Sequence, residues 1–122
     1  MQAEIRGQVA HHAGEAAERQ IAQYYERLGY EVLSRRWRGA GGEIDLIVRN
    51  AETVVFVEVK KARNFAIAAE RISPRQIRRI SDSAEEFLAG EPCGLLTDMR
   101  FDAALLDEFG AFKILENAFG CD

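Results

Sequence analysis

The 122-residue sequence has two cysteines, two histidines and no apolar run near the roughly 18 residues that a bilayer span requires. Each shortage excludes something. Cys93 and Cys121 form no CxxC pair and have no histidines at zinc-ligand spacing, which speaks against a zinc site and leaves them as reduced thiols without a catalytic role. His11 and His12 read as surface residues. The first residues, MQAEIRGQVAHHAGEAAERQ, contain no apolar signal core, so a cytoplasmic location and no membrane partner are expected. The glycine-rich turn Gly39-Ala40-Gly41-Gly42 lacks the GK[ST] of a phosphate-binding loop, excluding triphosphate binding of that type. There is no internal repeat, low-complexity tract or linker.

What is present is the composition of a globular protein: 48% hydrophobic and 30% charged residues. The length predicts one domain over 1–122 with a flexible segment at 1–11, large enough to bury a core without disulfides or a structural metal. The net charge of −4 hides an asymmetry. Residues 1–81 hold fourteen Lys/Arg against ten Asp/Glu, whereas 82–122 hold two against ten. Such local fields steer ligands more than the average does. An acidic half of this kind also suits docking of a basic protein partner.

Hydrophobic periodicity predicts a helix from about His12 to Leu28, with Ala17, Ile21, Tyr24 and Leu28 as its apolar stripe and Gly29 as its stop. A strand over Tyr30–Trp37 follows, then a hairpin of Glu43–Val48 and Thr53–Lys60 turning at Asn50-Ala51. Lys61–Ile72 reads as an irregular connection. Ser73-Pro74 caps a second helix bearing Ile77, Ile80, Ala84, Phe87 and Leu88 and ending at Gly90. Strands over Arg100–Leu106 and Ala111–Leu115 complete a mixed α/β sheet flanked by helices.

The hairpin, GGEIDLIVRNAETVVFVEVKK, is the most hydrophobic part of the chain, yet it carries Glu43, Asp45, Glu58 and Lys60. Side chains alternate along strands, so pairing Val48 with Thr53 or Arg49 with Glu52 gives one register. That register sets Ile44 and Leu46 against Val57 and Val55 on a wholly apolar face. On the other face Asp45 meets Phe56 and Glu43 meets Glu58, with Lys60 beyond. Two like charges ~5 Å apart at an effective dielectric of about 20 repel by roughly 3 kcal/mol. Lys60 offsets one such charge, and a divalent cation offsets two. A cation there also activates water and stabilises a phosphoryl transition state. Acids near a lysine, gathered at one strand end, mark a site.

Asp45 followed after twelve residues by Glu58-x-Lys60 resembles the PD-(D/E)xK nuclease signature. Gly29-Tyr30, Trp37-Arg38, GGEIDLI at 41–47, FVEVK at 56–60, Arg100-Phe101-Asp102 and Ala118-Phe119 together resemble the YraN-like family of predicted endonucleases, distantly similar to archaeal Holliday junction resolvases. The resemblance implies a restriction-endonuclease-like αβββαβ core. It implies Mg²⁺ or Mn²⁺ held by Asp45, Glu58 and the Val59 carbonyl, with Lys60 orienting the attacking water. It places the first-helix glutamate of the family at Glu18, which flanks the apolar stripe while Glu15 points away from it. Glu43 falls beside the ligands as an outer carboxylate or a ligand to a second ion. The implied partner is structured or branched DNA, and a homodimer is compatible with it.

The chain departs from the family pattern in places. Glu58-Val59-Lys60-Lys61-Ala62-Arg63 stands where EVKTR is common, Gln76 where a lysine is frequent, and Asn64–Ile72 is shortened. Two arginine clusters are candidate phosphate contacts: Arg35, Arg36 and Arg38 around Trp37, and Arg71, Arg75, Arg78 and Arg79 at the start of the second helix. Lys61 and Gln76 join them as nucleic-acid-binding candidates. Trp37 reads as core, with base stacking as the alternative. The alternative to an enzyme is a nucleic-acid-binding or protein-interaction module with the same fold and little turnover.

Overall fold

The computed structural model describes residues 2–119, with side chains from residue 14 onward. Cys121 and the side chains of His11 and His12 therefore lie outside the described residues. The elements are α1 (Gln2–Arg27), β1 (Glu31–Gly39), β2 (Gly42–Asn50), β3 (Thr53–Lys61), α2 (Phe65–Glu70), α3 (Pro74–Leu88), β4 (Met99–Leu106) and β5 (Phe112–Leu115), with a single 3₁₀ turn at Gly94–Leu96. The five strands lie in the order β1-β2-β3-β4-β5. Only the β3–β4 pairing is parallel. This is a mixed sheet with helices on both faces, as an αβββαβ core requires.

Each helix covers the sheet face that its apolar stripe dictates. Ala17, Ile21, Ala22 and Tyr25 of α1 pack on Leu46, Val48, Val55, Val57, Ala104 and Leu106. Ile80, Ala84 and Leu88 of α3 pack on Ile44, Ile47, Val54 and Phe56. Ala68 of α2 covers Ala103 and Leu105. Burying one such Val, Leu or Ile contributes about 1.5–3 kcal/mol. Trp37 belongs to this packing, edge-on to Phe87 with ring centroids 5.4 Å apart, so its core reading holds. No helix among the described residues is long and apolar enough to cross a membrane.

Several expectations need correction. The first helix begins at Gln2, not near His12. Its stripe shifts by one residue at the end: Tyr25 is buried, while Leu28 lies past the last turn and is exposed. Gly29, with φ at 92°, does stop the helix, and the Tyr30 N–H closes back on the Tyr25 carbonyl at 3.0 Å. The connection after β3 contains a helix, α2, capped by Asn64, whose side chain accepts the Ile67 N–H at 2.9 Å. Ser73 caps α3 in the same way through the Gln76 N–H.

The hairpin register also differs. Asn50 pairs with Thr53, Arg49 with Val54, Val48 with Val55, Ile47 with Phe56 and Leu46 with Val57. This is a slip of two residues from the expected pairing. Because side chains repeat every two residues, such a slip does not itself exchange faces and changes only opposite numbers; Ile44 is the exception to the expected faces, packing beneath α3 rather than with Leu46. Glu58 therefore comes level with Asp45 rather than with Glu43.

Candidate metal and phosphate site

The site arises where the sheet forks. The β2–β3 ladder ends at Leu46–Val57, after which β2 continues with β1 and β3 continues with β4. The pleat breaks at the same place: Ile44 packs beneath α3 and Leu46 beneath α1, although they are two residues apart. Asp45, between them, reaches across the fork and accepts the Val59 N–H at 2.8 Å. Glu58 reaches back, and its Oε1 lies 3.4 Å from the Asp45 N–H. Each carboxylate thus replaces a backbone acceptor that the parted strands no longer provide. The Val59 carbonyl lies on the same strand edge as its N–H and faces the fork.

Glu58 is 2% exposed, yet it is an acid beside another acid. Burial, and then the Asp45 charge, push its carboxyl up to about 8, against a smaller opposing pull from Lys60. Burial likewise pushes Asp45 up to about 6, against the pull of the bond from the Val59 N–H, with the Glu18 charge adding to the rise. The remaining oxygen of Glu58 is held by the Gln76 side-chain amide at 3.0 Å and by the Lys60 ammonium at 3.9 Å. A cleft of about 440 Å³ opens above, lined by Glu43, Asp45, Glu58, Lys60, Arg75 and Arg79, among others. Glu43 is half-exposed at its rim, 3.8 Å from Arg38.

The structure gathers some candidates and separates others. Asp45, Glu58, Lys60, Val59, Glu43, Arg75, Gln76 and Arg79 belong to the fork or its cleft. Gln76 contacts a carboxylate, which makes it a support for Glu58 in addition to a candidate phosphate contact. Arg35 and Arg36 line a second cleft with Glu15, Glu18 and Arg19. There Arg36 bonds Glu18 at 2.9 Å and Glu15 at 3.7 Å. Lys61, exposed at the end of β3, alternates away from Lys60 and is absent from either cleft lining. Arg71 caps α2 and donates to the Lys61 carbonyl at 3.0 Å, and Arg78 is exposed on α3.

Among the described residues, no three His, Cys, Asp or Glu are grouped to hold a metal ion. The donors at the fork are two carboxylates and a carbonyl. That set fits Mg²⁺, which typically takes one or two carboxylates and keeps waters and substrate oxygens in its other positions.

A polar network that the sequence signalled only through Arg100-Phe101-Asp102 lies on the α1 face. Asp102 is fully buried and accepts from Tyr25 Oη at 2.7 Å, Arg100 Nε at 2.8 Å and the Asn117 N–H at 3.0 Å. Arg100 also reaches Tyr30 Oη at 3.2 Å. Burial and then the bond to Asp102 push the Tyr25 hydroxyl far up. Every charge and hydroxyl in this group is paired, so its role is to join the end of α1 to β4.

The model of the uncharacterised protein family UPF0102 matches residues 17–106, from within α1 to the end of β4. The chain belongs to UPF0102. It is similar to a UPF0102 protein of Ruegeria pomeroyi, 57% identical over 115 residues that cover 94% of both chains. A UPF0102 protein of Cereibacter sphaeroides is 56% identical, covering 94% of this chain and 98% of the relative. One from Dinoroseobacter shibae is 43% identical over 93% of this chain and 85% of its own. The UPF0102 match includes Glu18, Arg36, Asp45, Glu58, Lys60 and Gln76, so every residue at the fork falls inside the family region.

Proposed function

We propose that this UPF0102 protein is a metal-dependent endonuclease that hydrolyses DNA phosphodiester bonds, with structured or branched DNA as its substrate. The observation that carries this reading is the buried pair Asp45 and Glu58, joined across the fork and facing a cleft with Lys60, Arg75 and Arg79. Burying two neighbouring carboxyl groups is costly, and buried, perturbed acids gathered beside a lysine in a cleft are characteristic of a functional site. The resemblance to the PD-(D/E)xK signature at the same residues points the same way.

A divalent ion bound by Asp45, Glu58 and the Val59 carbonyl would supply Lewis-acid stabilisation of the phosphate and a more acidic water. The chain's own groups do the rest. Lys60, tethered to Glu58, orients the attacking water and stabilises the charge that builds on the phosphate in the transition state. Arg75 and Arg79 hold phosphate oxygens on the α3 side. Gln76 fixes the Glu58 carboxylate without adding a charge. Attack is in line, with no covalent intermediate.

One observation favours the second reading, a nucleic-acid-binding module with little turnover. Oε2 of Glu58 is already engaged by Gln76 and Lys60, as in a site that is filled from within. Pure protein incubated with linear, flap and four-way-junction DNA and Mg²⁺ or Mn²⁺ separates the two. Cleavage lost in both Asp45→Ala and Lys60→Ala supports the enzyme. Junction binding without cleavage supports the module, and equal cleavage by all three proteins would sink the site assignment.

A further inference from the structure

Arg36 is the one residue of β1 with a positive φ, 51°, a conformation unfavourable for a side chain of its size. It falls between the pairs Arg35–Leu46 and Trp37–Ile44, level with Asp45. The strain therefore sits opposite the break in β2. Its result is to send the guanidinium to α1, where it holds Glu18 at 2.9 Å and Glu15 at 3.7 Å. This pair is partly exposed, and exposed ion pairs add little stability. Stability alone does not account for a strained backbone there.

Arg36, which holds Glu18 at 2.9 Å, stands level with Asp45 in the β1–β2 pairing, and this places Glu18 beside the fork. It nevertheless does not complete a three-acid group with Asp45 and Glu58. What occupies it is Arg36. The cleft around this pair, about 330 Å³, is also lined by Arg35 and Arg19, both exposed. Three guanidinium groups and an opening are a receptor for a phosphodiester, since the planar fork of arginine matches phosphate oxygens in pairs.

We propose that Arg36 is an internal counter-ion that a backbone phosphate of the substrate displaces. A phosphate entering the α1-side cleft takes the guanidinium, and the released Glu18 turns to the Asp45–Glu58 pair and strengthens its hold on a divalent cation. Cation and nucleic acid then bind cooperatively, each tightening the other by the same factor. Arg36 is a positioning residue in this scheme. The inference rests on the endonuclease reading above, because it needs the fork to bind a cation.

The test is calorimetric titration of the full chain with Mn²⁺ in the absence of DNA, with thermal melts to show that each variant is folded. Arg36→Asn removes the charge and tolerates the positive φ. It tightens Mn²⁺ binding by about tenfold, within the usual range of such couplings. The double variant Arg36→Asn/Glu18→Gln loses that gain, and Arg36→Lys, which keeps the charge, binds like wild type. Sulfate, a phosphate mimic, tightens Mn²⁺ binding to wild type relative to chloride at matched ionic strength, and has no such effect on Arg36→Asn. Unchanged affinity in Arg36→Asn, a gain that survives Glu18→Gln, tightening in Arg36→Lys or indifference of wild type to sulfate each overturns the proposal. If Asp45→Ala still removes the Mn²⁺ heat in those cases, the fork stands as a cation site. If no variant shows heat that depends on Asp45, the cation site itself fails and the proposal with it.

Discussion

Oδ2 of Asp45 accepts the backbone N–H of Val59 at 2.8 Å, just beyond the last paired residues of β2 and β3. A side chain thus does the work of a missing strand carbonyl at the point where the sheet divides. The carboxylate is held by one oxygen and lines the cleft. The acidity of the site and the fork that opens it are one feature, because the carboxylate satisfies the backbone that the fork exposes.

That arrangement predicts an unusual pH profile for the metal-free protein. Asp45 and Glu58 are raised to about 6 and about 8, so the folded chain holds protons that the unfolded chain releases near pH 4. The contribution of the pair is fully present below pH 4 and is lost as pH rises through 8. Between pH 5 and pH 8 the metal-free protein should lose on the order of 5 kcal/mol from this pair. Denaturant melts check this: Glu58→Gln flattens the profile and is more stable than wild type at pH 8.

Divalent cations should reverse the loss. At neutral pH, Mg²⁺ or Mn²⁺ at about a hundred times its dissociation constant should raise unfolding free energy by roughly 2.7 kcal/mol. Thermal melts with the metal and after chelation measure the difference. The increment should vanish in Asp45→Ala and shrink as pH falls toward 5, where protons compete for the oxygens.

Gly41 should tolerate no side chain. A Cβ there would stand 2.6 Å from the Arg79 carbonyl of α3, a backbone atom that cannot turn aside. Gly41→Ala should cost about 1–3 kcal/mol, as overpacking does. Because the β1–β2 turn would be pushed off α3, Mn²⁺ affinity at the fork should also weaken, which calorimetry reads.

The buried Asp102 should matter for folding and not for the cation. Asp102→Ala strands the Arg100 charge and should cost on the order of 3 kcal/mol. Tyr25→Phe removes one of several bonds to Asp102 and should cost about 1 kcal/mol. Equilibrium unfolding gives both numbers. Mn²⁺ affinity should stay the same in Tyr25→Phe, since the network lies on the α1 face and Glu58 faces α3.

Much of the site was legible because buried strands exclude charge, so Asp45, Glu58 and Lys60 stood out against their neighbours. The pairing was not. A slip of two residues does not itself exchange faces, so the hydrophobic pattern could not distinguish Glu43 from Asp45 as the neighbour of Glu58, nor foretell the break that turns Ile44 to the face opposite Leu46. Only the turn decides, and Asn50-Ala51-Glu52-Thr53 lacks the usual glycine, with Ala51 itself adopting a φ of 54°. The positive φ of Arg36 was hidden for the same reason, since nothing in an arginine announces that conformation. The short helix α2 had its signals, Asn64 followed by an alanine-rich run, but six residues leave little periodicity to read.

The β1–β2 turn is fastened to α3 at several points. Glu86 accepts the Ala40 N–H at 2.7 Å, Ser83 donates to the Gly42 carbonyl at 2.8 Å, and Gly39 and Gly41 leave no space between. The acids of β2 and the basic start of α3 therefore belong to one rigid jaw. On the other side lies α1, packed on the sheet through Ile21, Ala22 and Tyr25 and tied to β1 by the ion pairs of Arg36. On the endonuclease reading proposed above, the width of substrate admitted would be set from the α1 side, where ion pairs join helix to strand, while the acids keep their place beneath α3.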